Sequence, residues 1–160
     1  MNIIHRDLKL ENILVLSTSE STSGVVCKIS DFGTARETDI SNTLTQTETQ
    51  SMTMTSNIGT PLYMSPEILS GESHYSMKAD VYSYGIVLCG IWNQQIPYSD
   101  ESFENVTEFL TRIVNQEHRP SLKSDCPQPY TQLVSACLQS DPHSRPSFDE
   151  ISRTVFGVSN

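Results

Sequence analysis

His5-Arg6-Asp7-Leu8-Lys9-Leu10-Glu11-Asn12 and, further along, Asp31-Phe32-Gly33 are the two stretches on which the reading of this chain turns. Between them lie two short apolar, β-branched runs, residues 12–16 and 25–30. They are separated by residues 17–24, a Ser/Thr-rich stretch ending in Gly24. That order of runs and turn residues predicts a β-hairpin with a long loop. If residues 12–16 pair antiparallel with residues 26–30, the open end of the hairpin brings Asn12 close to Asp31, because paired strands lie about 4.8 Å apart. A D-F-G triplet alone occurs by chance, and an Arg-Asp pair is commonly a surface ion pair. Both stretches in this order, joined by a hairpin of this length, are poorly explained by chance.

Outward from the hairpin the pattern changes. Residues 37–57 are almost free of apolar side chains and carry a Ser or Thr at every second position from Thr43 to Thr55, the composition of a solvated loop. Beyond Met77 the period becomes helical, with Val81, Tyr84, Leu88 and Ile91 predicted to line one face of a core helix. Residues 103–114 repeat the pattern with Val106, Phe109, Leu110 and Ile113, and Pro127 and Pro129 punctuate before a helix over 130–138. Ser147 followed by Glu150 reads as a capping box opening a last helix. Two strands followed by four or five helices, without an internal repeat, give a mainly α fold with a small β-hairpin.

A chain of 160 residues is long enough for one domain with a real core. With 36% hydrophobic and 18% charged residues it is polar without being compositionally disordered. The net charge of -9 and the ten Lys and Arg argue against nucleic-acid and acidic-membrane partners, which are held through clustered cations. The longest apolar run, residues 86–92, is too short to cross a bilayer, and the start of the chain lacks the apolar stretch of a signal peptide. Cys27, Cys89, Cys126 and Cys137 contain no C-x-x-C pair, so buried free thiols are expected and not a zinc site or a disulfide framework. Asn105-Val106-Thr107 fits a glycosylation acceptor by coincidence of letters, with no secretory context to support it.

The two opening stretches resemble the catalytic loop and the metal-binding triplet of eukaryotic-type protein kinases. The resemblance implies that Asp7 accepts the proton of the substrate hydroxyl, that Asn12 and Asp31 hold Mg²⁺, and that Lys9 steadies the transferring phosphoryl of ATP, with His5, Phe32 and Gly33 in structural roles. These residue types suit the chemistry: phosphoryl transfer needs hard oxygen ligands on the metal and neutralisation of spreading negative charge. Gly59-Thr60-Pro61-Leu62-Tyr63-Met64-Ser65-Pro66-Glu67 resembles the end of a kinase activation segment, with Ser65 where Ala is usual. The resemblance pairs Glu67 with Arg145 of the Asp141-Pro142-His143-Ser144-Arg145-Pro146 motif. It also has Asp80 hydrogen-bond the backbone of the catalytic loop from the start of the central helix.

Lys9 together with Thr60 resembles the serine/threonine-specific pattern, in which the Thr hydroxyl bridges the catalytic Asp and Lys. Asp80-Val81-Tyr82-Ser83-Tyr84-Gly85 and the late Cys137 before Arg145-Pro146-Ser147-Phe148 are similar to the tyrosine-kinase-like group of serine/threonine kinases. On this footing residues 1–157 form a partial kinase domain: catalytic loop 5–12, metal loop 31–33, activation segment 31–67 and helical subdomain 78–156. The catalytic loop begins at residue 5, whereas in the family a Gly-rich loop, a strand Lys and a hinge precede it. The expectation is therefore a C-terminal lobe with the N-terminal lobe absent, a regulatory or receptor portion missing upstream, and no appreciable stand-alone activity. Partners implied are ATP and a protein substrate, and the location implied is cytoplasmic, or the cytoplasmic side of a membrane for a receptor kinase. Phosphate on the Thr-rich stretch could pair with Arg6 and order it. A short product acting as a non-catalytic binding or regulatory module stays open beside the enzyme, although Asp7, Lys9, Asn12 and Asp31 are all retained.

Overall fold

The computed structural model describes residues 3–17, 24–37, 60–72 and 76–157, the side chains of residues 36, 37, 60 and 156 excepted. The Thr-rich stretch, Gly59 and the Thr60 hydroxyl thus fall outside the described part. Four strands occur there: β1 (Ile3–Ile4), β2 (Ile13–Ser17), β3 (Val25–Ile29) and β4 (Arg36–Glu37). They are followed by helices α1 (Pro66–Leu69), α2 (Met77–Asn93), α3 (Val106–Asn115), α4 (Gln128–Cys137) and α5 (Phe148–Phe156).

β2 and β3 form the expected antiparallel hairpin, with Ile13 opposite Ile29 and Leu16 opposite Val26. Asn12 and Ser30 continue that register, the Ser30 N–H donating to the Asn12 carbonyl at 2.8 Å. A second pairing, Ile3 with Glu37 and Ile4 with Arg36, was not anticipated. It brings together the two ends of the segment that runs from residue 5 to residue 35.

α2 is the axis of the core. Its buried residues include Val81, Tyr82, Ile86, Val87, Leu88 and Cys89, which surround the helix instead of forming a stripe. The single-face expectation is corrected accordingly: Tyr82, Ile86 and Cys89 are fully buried, whereas Ile91, assigned to the core face, is 54% exposed where the helix runs out to the surface. A helix buried on most sides carries no amphipathic stripe for periodicity to find. Gly85 permits α4 to approach closely, since a Cβ there would stand 2.8 Å from the Cys137 Cβ.

α3 opens one turn later than its apolar pattern. Asn105 caps it, accepting from the Glu108 N–H at 2.9 Å, so the residue of the apparent glycosylation triplet has a local structural role. Ser147 and Glu150 form the capping box predicted for α5. The cysteine expectation holds for Cys89 and Cys137, which are buried with thiols pushed up to about 12 by desolvation. It fails for Cys27, exposed on the hairpin, and for Cys126, which is half-buried. Burial is a property of the element, and this hairpin has little packed against it.

Candidate active site

The site is a loop clamped on a helix. Residues 5–12 run from β1 to β2, and their backbone would leave N–H groups unpaired if nothing met them. Asp80, in the first turn of α2, meets two: its carboxylate accepts from the His5 N–H at 2.6 Å and from the Arg6 N–H at 2.9 Å. The side chain is buried, and desolvation raises its pKa above 3.8, partly offset by those two N–H groups and by the charges of His5 and Arg6. Arg6 takes a positive φ of 68°, which turns the chain so that both amides face one carboxylate.

Downstream of that clamp the side chains converge. Lys9 Nζ donates to Asp7 Oδ2 at 2.6 Å, and Asn12 Nδ2 donates to the same oxygen at 3.2 Å and to the Asp7 carbonyl at 2.7 Å. One carboxylate oxygen is thus held by an ammonium and an amide, fixing the orientation of Asp7. Asn12 is buried, with its amide nitrogen spent on Asp7, so the amide oxygen is the atom left for a cation.

Asp31 stands next to this group because Ser30, its neighbour, is tied to Asn12 twice: through the backbone bond across the hairpin and through Ser30 Oγ donating to the Asn12 carbonyl at 3.1 Å. Asp31 adopts a left-handed conformation, φ 61°, and its carboxylate accepts from the Gly33 N–H at 3.4 Å. Such a conformation costs a non-glycine residue free energy and is tolerated most readily by Asp and Asn. The His5 ring meets Phe32 edge-on at 4.9 Å, and His5 Nε2 lies 3.0 Å from the Ser30 carbonyl. Thr34 Oγ1 donates to the His5 carbonyl at 3.0 Å, and Arg6 Nε donates to the Thr34 carbonyl. His5, Arg6, Asp7, Lys9, Asn12, Asp31, Phe32, Gly33 and Asp80 therefore belong to one connected neighbourhood.

Glu67 and Arg145 lie elsewhere, in the helical layer, as a bidentate buried pair with both N–O distances at 2.8 Å. Arg145 also donates to the carbonyls of Gln139, Lys78 and Ser140, so no donor direction is wasted. Sequence reasoning missed Arg119. Its guanidinium donates to the carbonyls of Ile113, His118 and Leu138 and to Ser140 Oγ, and it lies 5.2 Å from the Tyr82 ring centroid, on a ring that Arg145 also approaches at 5.1 Å. An isolated Arg before Pro120 gives no pattern by which to find it.

One loop thus holds a fixed carboxylate and an ammonium, with the Asn12 amide and, through Ser30, Asp31 at the open end of the hairpin. The protein kinase domain family matches residues 1–156, and the chain belongs to that family. Among curated proteins it is similar to two of Dictyostelium discoideum, each named a probable LIM domain-containing serine/threonine-protein kinase. Both are 37% identical over 160 residues, covering 99% of this chain but only 21% and 14% of the relatives. A third, the dual specificity protein kinase shkA of the same organism, is 35% identical over 148 residues, 92% of this chain and 25% of that protein. The chain thus spans a quarter or less of the length of these relatives.

Proposed function

We propose that this chain carries the phosphoryl-transfer residues of a protein serine/threonine kinase and constitutes its C-terminal lobe, residues 1–157. ATP is the donor and a protein Ser or Thr hydroxyl the acceptor. The observation that carries the reading is the convergence on Asp7 Oδ2 of Lys9 and Asn12. With one oxygen held, the other is left to accept the proton of an incoming hydroxyl. Lys9, beside it, can follow the transferring group with its charge. The Asn12 amide oxygen and the Asp31 carboxylate are hard ligands of the kind Mg²⁺ takes, one buried and one open to solvent, and so the donor set fits the metal. Mg²⁺, when bound there, neutralises phosphate charge.

The serine/threonine preference rests on Lys9 and Thr60 and on the names of the relatives, the third of which points to dual specificity. The tyrosine-kinase-like affiliation rests on the opening of α2. Arg6 is proposed to receive phosphate borne by the Thr-rich stretch, and the cytoplasm is the proposed location. Lacking the Gly-rich loop and hinge of the family domain, residues 1–160 alone should show little phosphorylation.

A chimaera tests the reading without that handicap. Grafted over the aligned residues of the first relative, the chain should support phosphorylation of Ser/Thr peptides from MgATP. Asp7→Asn should lower the rate by about a hundredfold or more, the scale of general-base contributions. A folded chimaera that is inactive, or whose activity ignores Asp7, would overturn the proposal and leave a non-catalytic module.

A further inference from the structure

Gly90 lies in the last turn of α2 and is buried. It is not a capping glycine: the helix is closed by Gln94 in the left-handed conformation, φ 55°. A glycine inside a helix costs about 1 kcal/mol relative to alanine, so something other than helix stability accounts for it. The space beside it is already taken. A Cβ on Gly90 would stand 2.7 Å from Leu10 Cδ1, 3.2 Å from the Gln95 carbonyl oxygen and 3.5 Å from the Pro97 Cδ.

Leu10 begins the single 3-10 turn, Leu10–Asn12, that follows Lys9. The turn is closed by the Asn12 N–H donating to the Lys9 carbonyl at 3.1 Å. Its side chain packs onto the core cluster around α2. Asp80 and Gly90 therefore touch the same loop from one helix, ten residues or about 15 Å apart. Asp80 grips the amides on the N-terminal side of Asp7, and Gly90 receives the side chain on the other.

We propose that Gly90 is a positioning residue for the catalytic loop, its missing side chain being the seat in which Leu10 fixes the turn that carries Lys9 and Asn12. The inference rests on the kinase reading of that loop. In a Gly90→Ala variant the Gln95 carbonyl is backbone and yields little, so the Leu10 side chain must leave its seat. The turn then loses its anchor on α2, and Lys9 and Asn12, on either side of Leu10, are the two residues that orient Asp7.

The experiment compares the ¹⁵N-labelled 160-residue chain with Gly90→Ala, Leu10→Ala and the double variant Gly90→Ala/Leu10→Ala. Amide positions, hydrogen exchange and broadening by Mn²⁺ alone are the readouts. Gly90→Ala should shift the amides of residues 8–12, lower exchange protection of the Asn12 amide on the order of tenfold, in keeping with the usual cost of overpacking, and weaken Mn²⁺ broadening at Asn12 and Asp31. In the double variant, where the new methyl no longer meets a leucine, the Lys9 and Asn12 amides should return toward those of Leu10→Ala. If Gly90→Ala only stabilises α2, as alanine does at an unhindered site, and leaves residues 8–12 unmoved, the proposal is overturned. Should Gly90→Ala fail to fold, a folded double variant supports the proposal and an unfolded one overturns it. Absence of Mn²⁺ broadening in the unsubstituted chain counts against the metal reading, while the amide comparison still decides the role of Gly90.

Discussion

At the scale of single residues, the buried polar groups among the described residues divide into those whose partners are complete and a few, Ser65 among them, whose hydroxyl has none. Arg145 and Glu67 satisfy each other and three carbonyls, which is the condition under which a buried ion pair is tolerated. Removing one member leaves the other charged in the core. Glu67→Ala should therefore cost about 3 to 5 kcal/mol of stability, read as a lower urea midpoint. A loss under 1 kcal/mol would show that the pair is not desolvated as its burial implies. Ser65 is the converse case. It is fully buried, it stands where the family has Ala, its side chain makes no cap bond to α1, and its hydroxyl has no hydrogen-bond partner. A buried, unsatisfied hydroxyl costs about 1 to 3 kcal/mol. Ser65→Ala should raise stability by about 1 kcal/mol, the lower end of that range, and a fall in the urea midpoint would mean that the hydroxyl does useful bonding.

At the scale of elements, what the sequence made legible is what local chemistry decides. The β2–β3 hairpin follows from two apolar, β-branched runs around a Ser/Thr loop, and its open end carries Asn12 toward Asp31. The β1–β4 pairing was invisible, because two-residue strands have no period and their partners are brought together by the whole intervening loop. α2 was found as a helix but misread in its facing, since Ile91 emerges while Tyr82 and Cys89 do not. The clamp of Asp80 on two amides could be named only through the family resemblance: nothing local distinguishes such a residue from an exposed helix-start carboxylate. The α5 capping box was fully legible, and it carries a pH signature. Glu150 accepts from the Ser147 N–H at 2.7 Å and from Ser147 Oγ at 2.8 Å, and these bonds hold its pKa below 4.5. A carboxylate with a lowered folded pKa contributes stability above its unfolded value and loses it as pH falls through the folded one. Glu150→Gln should thus be less stable than the parent at pH 7, and the gap in thermal midpoint should close as pH drops below 4.5. A gap independent of pH would show that the box acts through shape and not through charge.

At the scale of the molecule, two opposed features decide how the chain behaves in solution. The hairpin is apolar and bare: Val15 is 66% exposed, Phe32 55%, Leu14 and Ile29 50% each. Val15 and Cys27 face one another across the strands on the same face as Ile13 and Ile29, while Leu14 lies on the other face, and exposed apolar surface of this kind favours association. Against it stands a net charge of -9, which holds copies apart through repulsion acting over roughly 10 Å at 0.1 M salt. The balance should therefore tilt with ionic strength. In sedimentation velocity the chain is expected to be largely monomeric in dilute buffer and to associate as salt screens the repulsion. Val15→Lys should abolish that association, since it places a charge at the most exposed point of the patch without touching Asp7, Lys9, Asn12 or Asp31. A salt response in the opposite direction would assign the association to ion pairs. A chain that stays monodisperse at high concentration and high salt would show that the hairpin is too small a surface to hold two copies together.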